Sequence, residues 1–97
     1  MKLPNLRNLA NGRACTVWLP GCLQDPQTVV LAHIRRAGMG GMGIKPPDLC
    51  GVYACDFCHR VIDGRDHLAN LSRMEIDQYV LNGLLRTLAQ VHRELYA

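Results

Sequence analysis

The cysteines of this chain limit its possible folds more than any other residue type, and they include a Cys-x-x-Cys-His motif at Cys55, Cys58 and His59. The sequence has 97 residues and five cysteines, and an odd number leaves one thiol over in any disulfide scheme. A single domain of this length buries a modest core, so a bound metal ion would add to its stability. The cysteines therefore predict a metal-binding domain rather than a disulfide framework.

Two pairs of cysteines have spacings that suit zinc, which prefers four tetrahedral ligands drawn from thiolates and imidazoles. Cys55 and Cys58 are separated by two residues, so both thiolates can reach one ion. Cys15 and Cys22 lie across a Pro-Gly turn, which is a looser spacing. We expect the four thiolates to bind one zinc ion and to join the N-terminal half of the chain to a helix that begins near Cys55.

Other interpretations of the cysteines stay open. Cys15 and Cys22 could be small buried side chains, which would leave Cys55, Cys58 and a histidine as the metal site. The Cys-x-x-Cys pair could act in thiol oxidoreduction, although the sequence lacks the strand and helix pattern of the thioredoxin type. Cys50 has no paired spacing, and we interpret it as an apolar core residue.

The remaining pattern predicts an α+β fold. Residues 1–13 are broken by Pro4 and Gly12 and predict an irregular, basic N-terminal arm, which a single domain over residues 14–97 follows. The expected elements are strands over 15–19, 28–34 and 49–54 and a helix from 55 to about 68.

The C-terminal segment predicts the longest helix, over residues 72–96. Ser72 and Glu75 form a capping-box pattern at its start, and apolar residues then recur at spacings of mostly three or four. Such an apolar stripe needs a partner surface. That surface is either the core of the same chain or a second copy of the chain in a homodimer.

A second group of metal-binding side chains follows the Cys-x-x-Cys pair. On a continuous helix His59, Asp63 and His67 would share one face, because they are spaced by four residues. An imidazole and a carboxylate one turn apart can bind one divalent cation. The alternative is a polar, solvent-exposed helix face. His92 has no ligand pattern near it, and we interpret it as a structural or surface residue.

The charge distribution favours a polyanionic partner. The net charge is +3, and the basic excess lies in the first 60 residues, with the cysteines. An ordinary solvated surface is the alternative. No apolar run approaches the roughly 20 residues that span a membrane, and no signal-peptide pattern precedes Arg13. The sequence therefore predicts a cytoplasmic protein.

Together these motifs resemble a known superfamily. A strand that ends in His-Ile, a Gly-rich loop and Cys-x-x-Cys-His at a helix start are similar to the ββα-metal core of HNH nucleases, and the preceding cysteine pair resembles the zinc-knuckle members. Over roughly residues 11–67 the chain more specifically resembles the YbcO-like prophage nucleases. The segments that carry this likeness are LAHIR at 31–35, GIKPPDL at 43–49 and CDFCHRVID at 55–63.

This resemblance implies a role for each matching residue. His33 would be the general base that deprotonates the attacking water, His59 a ligand of the catalytic metal and Asp63 a second ligand. Cys15, Cys22, Cys55 and Cys58 would hold a separate structural zinc ion. The implied fold is a zinc-knuckle ββα-metal core followed by a long C-terminal helix.

The implied activity is metal-dependent hydrolysis of DNA phosphodiester bonds, in a prophage-encoded protein of a bacterial host. A divalent cation such as Mg²⁺ would meet the negative charge that develops on the phosphate. The cationic side chains expected to grip flanking phosphates without reading the sequence are Arg35, Arg36, Lys45 and Arg60.

Two positions depart from the HNH pattern. Ala32 stands directly before the proposed base, where these enzymes usually carry a metal-binding Asp or His. If the helix continues past Gly64, we expect His67 to take that ligand's place. The middle Asn of the pattern is also missing, and Asp48 is the nearest candidate. These departures favour an alternative function, a catalytically inactive zinc module that binds DNA or a phage protein.

Overall fold

The computed structural model describes residues 4–35, 46–65 and 70–96 and has an α+β fold. Arg36, Lys45 and His67, three of the residues singled out above, lie outside these ranges. The helices are α1 (Leu6–Leu9), α2 (Asp56–Ile62) and α3 (Arg73–Tyr96), and the strands are β1 (Val30–His33) and β2 (Gly51–Ala54). Short 3-10 turns at Pro26–Thr28 and Asp48–Cys50 precede the two strands.

The two strands form an antiparallel pair that places His33 at the edge of the core. Val30 pairs with Ala54 and His33 pairs with Gly51. All four residues of β2 are buried, because the sheet is covered on both faces. The strands expected over 28–34 and 49–54 therefore exist but are shorter than predicted, and one further backbone hydrogen bond, from the Ile34 amide to the Cys50 carbonyl (2.8 Å), continues the pairing beyond them.

The long helix α3 packs against β2 around a closed ring of buried hydrogen bonds. The Tyr53 amide donates to Thr87 Oγ1 (3.2 Å), the two threonine hydroxyls are 2.9 Å apart, and Thr16 Oγ1 donates to the Tyr53 carbonyl (3.0 Å). Gly83 lets the helix backbone approach closely, because a Cβ there would lie 3.2 Å from the Thr16 carbonyl oxygen. These contacts fix the segment around Thr16, and with it Cys15, against α3.

The N-terminal cysteine segment is not a strand, contrary to the expectation for residues 15–19. Thr16 pairs with the Tyr53 carbonyl, but Trp18 has a positive φ of 61°, which a strand does not accommodate. The chain turns there, and the Cys22 amide donates to the Leu19 carbonyl at 2.8 Å. The β-branched side chains misled the prediction because tertiary contacts set this backbone.

The N-terminal arm also differs from the irregular segment expected. Asn5 Oδ1 accepts hydrogen bonds from the amides of Arg7 and Asn8 and caps the four-residue helix α1. Leu6 and Ala10 are buried in the core. Burial of this apolar face stabilises a helix too short to form by itself.

The helix α2 is shorter than the expected span from 55 to about 68. It ends at Ile62, and Gly64 then adopts a φ of 77°, the left-handed conformation that commonly terminates helices. Its N-terminus is capped from outside the helix, because Thr28 Oγ1 accepts from the Asp56 amide at 3.1 Å. No continuous helix therefore extends the face of His59 and Asp63 toward position 67.

The start of α3 follows the sequence pattern. The Ser72 hydroxyl accepts from the Glu75 amide (3.1 Å), and the Glu75 carboxylate accepts from the Ser72 amide (2.9 Å), so the predicted capping box is confirmed. Across residues 4–35, 46–65 and 70–96, no helix combines the length and apolarity that a bilayer-spanning segment needs.

Candidate metal centre and adjoining cleft

The four cysteines of the two predicted pairs come together in one cluster. The sulfur atoms of Cys15, Cys22, Cys55 and Cys58 all lie within 4.8 Å of one another, and those of Cys22 and Cys55 are 3.6 Å apart. Four thiolates around zinc at about 2.3 Å form a tetrahedron whose edges are about 3.8 Å. The cluster can therefore hold a metal ion such as zinc with little adjustment.

Two elements far apart in the sequence supply these ligands. Cys15 and Cys22 flank the turn described above, whereas Cys55 is the N-cap residue of α2 and Cys58 lies in its first turn. Cys15, Cys55 and Cys58 are at most 1% exposed, and Cys22 is partly buried. Cys50 is also a free thiol and, as the sequence predicts, is not part of the cluster. It is only partly buried in the turn before β2, however, and not the core residue that was expected.

The surroundings of the sulfur atoms shift their pKa values in opposite directions. A hydrogen bond from Cys58 and backbone amides, that of Trp18 first among them, lower the pKa of Cys15. The same hydrogen bond and burial raise the pKa of Cys58, and burial raises the pKa of Cys22. The arrangement thus favours the thiolate at Cys15 and the protonated thiol at Cys58 and Cys22. A zinc ion, which binds thiolates, would replace those protons.

A cleft of about 670 Å³ lies beside α2 and is lined by His33 and His59, two of the histidines that the sequence singled out. His33 reaches it from the end of β1, and His59 and Asp63 reach it from α2. The cleft is also lined by three arginines, Arg7, Arg35 and Arg73, and by apolar groups of Val30, Leu31 and Ile62. Its described lining therefore carries one carboxylate and three guanidinium groups, which favours an anionic ligand.

His33 is held in place by a carboxylate from the segment before β2. Its Nε2 lies 2.7 Å from Asp48 Oδ1, and its side chain is 9% exposed. The other carboxylate oxygen of Asp48 lies 3.6 Å from Arg7 Nε. When Nε2–H donates to Asp48, the neutral ring keeps its lone pair on Nδ1.

His59 and Asp63 are arranged one helical turn apart. His59 Nε2 lies 3.2 Å from Asp63 Oδ2, and this oxygen also accepts from Arg65 Nη2 at 3.1 Å. Both side chains are partly exposed. In the described part of the chain, the cysteine cluster is the one group of three or more such ligands close enough to share an ion. His59 and Asp63 therefore offer two ligand atoms there, without a third.

The two described basic residues that were expected to bind phosphate lie in different places. Arg35 lines the cleft, whereas Arg60 forms an ion pair with Asp56 on the outer surface of α2 and is not part of the cleft lining. Arg7 and Arg73 line the cleft but were not predicted. They are 66 positions apart in the sequence (7 and 73), and only the tertiary fold brings them together.

Comparison with known proteins agrees with this arrangement of motifs. The profile of the family described as "Putative nuclease YbcO" matches residues 4–95. The chain belongs to the YbcO family. It is 44% identical over 86 residues to "Putative nuclease YbcO" of Escherichia coli strain K12 and equally to the protein of the same description from Enterobacteria phage 82, with 88% of each chain covered.

A solved structure shows the same fold. The structure of a "putative bacteriophage protein" from Escherichia coli K-12 superimposes with a TM-score of 0.76 and 37% identity, and the match covers 94% of this chain and all of the other. The resemblance inferred from the three sequence segments is thus confirmed at the level of the family. The YbcO relatives come from a bacterium and a phage, in agreement with the expected prophage association.

Asp48 is a residue of the candidate site whose position, but not whose contact, was indicated by the sequence. The sequence marks it as the nearest substitute for the missing middle Asn of the HNH pattern, but not as a partner of His33. The two residues are 15 positions apart, and no local periodicity connects them. Ala32 is 2% exposed and packs in the core, so it contributes nothing to the cleft.

Proposed function

We propose that this protein is a metal-dependent endonuclease that hydrolyses DNA phosphodiester bonds with an HNH-type site. In this proposal β1, β2 and α2 are the ββα-metal core, and the four-cysteine cluster holds a structural zinc ion. The observation that carries the proposal is that His33 and His59 line one basic cleft. The names of the YbcO relatives support the same reaction class.

His33 acts as the general base. The contact with Asp48 orients its ring and favours the tautomer with an unprotonated Nδ1, which can accept a proton from water. A carboxylate in this position also stabilises the imidazolium that forms after proton transfer. Asp48 is therefore a positioning residue in this proposal, and its charge substitutes for the amide of the usual Asn.

His59 and Asp63 hold the catalytic cation, which is Mg²⁺ or another divalent ion. Their facing Nε2 and Oδ2 atoms can both turn toward one ion in the cleft. His67 is the third protein ligand that we propose. When bound, this cation supplies positive charge to the phosphate oxygens as the scissile bond breaks.

The arginines around the cleft bind the DNA backbone. Arg35, Arg7 and Arg73 contribute positive charge at the cleft itself, and Arg36, Lys45 and Arg60 extend it along the flanking phosphates. Such contacts neutralise phosphate groups regardless of base identity, so binding weakens steeply with salt and shows little sequence preference.

The experiment that tests this function is plasmid nicking with Mg²⁺ or Mn²⁺. We expect His33→Ala to lower the rate by roughly 10²–10⁴-fold, the typical contribution of a general base, and His59→Ala to lower it because a proposed ligand of the cation is lost. His92→Ala is the matched control, because His92 is an exposed histidine on α3 outside the cleft lining. Equal activity of all three variants, or no nicking with any cation, would overturn the proposal.

A zinc module without catalytic activity is the second candidate. The observation that favours it is the buried Ala32, which leaves a position without a ligand where HNH enzymes use one. On this reading the protein binds DNA or a phage protein through the same cleft. It predicts that the zinc-loaded protein retains DNA in a mobility-shift assay while every divalent cation fails to produce a nick.

We further propose that the protein acts in the bacterial cytoplasm and pairs with a second copy through α3. The face of α3 opposite its core contacts exposes Met74, Leu81, Leu85 and Leu88. Light scattering tests this pairing, since Leu85→Glu would convert a dimer to a monomer. A monomer at all concentrations of the unchanged protein would contradict it.

A further inference from the structure

A second cavity, of about 400 Å³, lies where the N-terminal cysteine segment meets the C-terminal half of α3. Its volume falls within the roughly 300–1,000 Å³ of small-ligand sites. The lining includes Trp18, two arginines and two glutamines, and none of its described residues is acidic. It shares no residue with the cleft of His33 and His59.

The wall formed by Trp18 has an unusual backbone. Trp18 has a φ of 61°, in the left-handed region that bulky residues rarely adopt, yet its side chain is 49% exposed. The indole N–H donates to the Cys15 carbonyl at 2.8 Å, which fixes the ring orientation. The fold thus maintains an unfavourable backbone conformation that holds a large aromatic ring at the surface, and such outliers cluster at functional sites.

Arg86 covers one face of this ring with its guanidinium, and Arg93 adds positive charge to the same cavity. The Arg86 guanidinium lies 3.5 Å from the centroid of the indole, and its Nη1 donates to the Thr16 carbonyl at 2.9 Å. Arg93 is exposed on the same side of α3. The neighbouring carboxylate of Glu94 pairs with Arg13 at 2.6 Å, so its charge is compensated.

We infer that Trp18, Arg86 and Arg93 form a platform on which an unpaired base of a single-stranded nucleic acid stacks. Exposed aromatic rings beside cationic side chains are the elements that single-strand-binding proteins use, since every base offers a π face and every nucleotide a phosphate. Gln24 and Gln90 supply amide groups that can meet base edges. The inference rests on the proposed function in that its ligand is nucleic acid, and it specifies a substrate with unpaired bases.

Trp18 is the only tryptophan of the chain, so its fluorescence reports on the platform directly. The zinc-loaded His59→Ala protein would be titrated with a short oligothymidylate and with an abasic strand of the same length. We expect the oligothymidylate, and not the abasic strand, to quench the fluorescence of Trp18.

A second measurement follows binding of the oligothymidylate by its fluorescence anisotropy. Trp18→Ala should weaken this binding roughly five-fold to a hundred-fold, the range for loss of one stacked base, and Trp18→Phe should weaken it less.

Arg93→Ala tests the electrostatic part without disturbing the backbone at Trp18. It should weaken binding of both strands and reduce the salt dependence by about one phosphate contact. Tyr96→Ala is the matched control, because it removes an aromatic side chain of similar exposure, 54%, that does not line the cavity. Should Trp18→Ala fail to fold, Trp18→Phe and Arg93→Ala still decide the question.

Absence of quenching, or equal binding by Trp18→Phe, Arg93→Ala and Tyr96→Ala, would overturn the inference. Failure of both strands to bind at all would do so too and would direct the search to a protein partner. The two proposals can fail separately. Stacking without plasmid nicking would refute the nuclease and support the platform. Nicking without stacking would support the nuclease and refute the platform.

Discussion

Removal of the zinc ion proposed for the cysteine cluster is the perturbation with the largest expected effect on stability. The cluster joins Cys22 to Cys55, which are 33 positions apart. If the metal bridge is treated as a cross-link, closing a loop of this length restricts the unfolded chain by about 4 kcal/mol. For a domain of this size about 1 kcal/mol shifts Tm by roughly 4–8 °C, so chelation should lower Tm by roughly 15–30 °C.

That figure is a lower bound, because it leaves out the bonds to the metal itself. Structural zinc contributes about 10–16 kcal/mol in small zinc-dependent domains, whereas a whole domain is typically stable by about 5–15 kcal/mol. Complete unfolding of the chelated protein is therefore the other limit. The ligands at positions 15, 55 and 58 are almost fully buried, and water cannot replace the lost bonds without opening the core.

The assay is thermal unfolding followed by circular dichroism, with zinc content measured on the same samples. We expect one zinc ion per chain and a large fall in Tm for Cys22→Ser. Cys50→Ser is the matched control, since Cys50 is a partly buried free thiol outside the cluster. A chelated protein with an unchanged Tm, or equal losses of zinc in the two variants, would refute the reasoning.

Three further substitutions test packing and capping. Gly83→Ala should lower Tm, because the new Cβ would press on the backbone at Thr16 and overpacking costs about 1–3 kcal/mol. This cost opposes the helix propensity of alanine, which exceeds that of glycine by about 1 kcal/mol. A rise in Tm would contradict the close approach of α3 to Thr16. Tyr53→Phe should leave Tm unchanged or raise it, since the buried hydroxyl has no hydrogen-bond partner among the described residues, and a fall of several degrees would reveal one. Hydrogen bonds with Ser72 lower the pKa of Glu75 in the folded protein. The ionised carboxylate therefore stabilises the fold fully at a pH above the unfolded-state pKa, and this stabilisation is lost as the pH falls through the lower folded-state pKa. Glu75→Gln should remove this acid dependence from a series of Tm values against pH, and an unchanged series would show that the capping box contributes none.

The parts of the fold that sequence reasoning predicted are those that local patterns determine. The capping box at Ser72 and the apolar spacing after it sufficed for α3, because both operate within a few residues. Gly64 ended α2 earlier than expected, since a single positive φ outweighs continuing apolar periodicity. The helix α1 was missed because burial of Leu6, a tertiary contact, stabilises its four residues.

The contacts of the candidate site also differ in whether a local sequence pattern predicts them. The spacing of His59 and Asp63 was enough to predict their contact, because a helix fixes the geometry at four residues. The contact of Asp48 with His33 depends on the path between β1 and β2, and the cleft position of Arg7 depends on α1. Neither contact has a periodic sequence signal.

The helix α2 explains how the cysteine cluster and the cleft can share one short element. Cys58 and His59 are consecutive, and consecutive helical residues point about 100° apart. Cys58 therefore faces the buried cluster while His59 faces the cleft. With only seven residues, α2 is too short to hold a defined orientation by its own hydrogen bonds. A zinc ion at its first turn would fix its position relative to β1, and this would fix His59 relative to His33. In the proposed nuclease the structural metal thus sets the geometry between the general base and the cation ligand, although it takes no part in the hydrolysis.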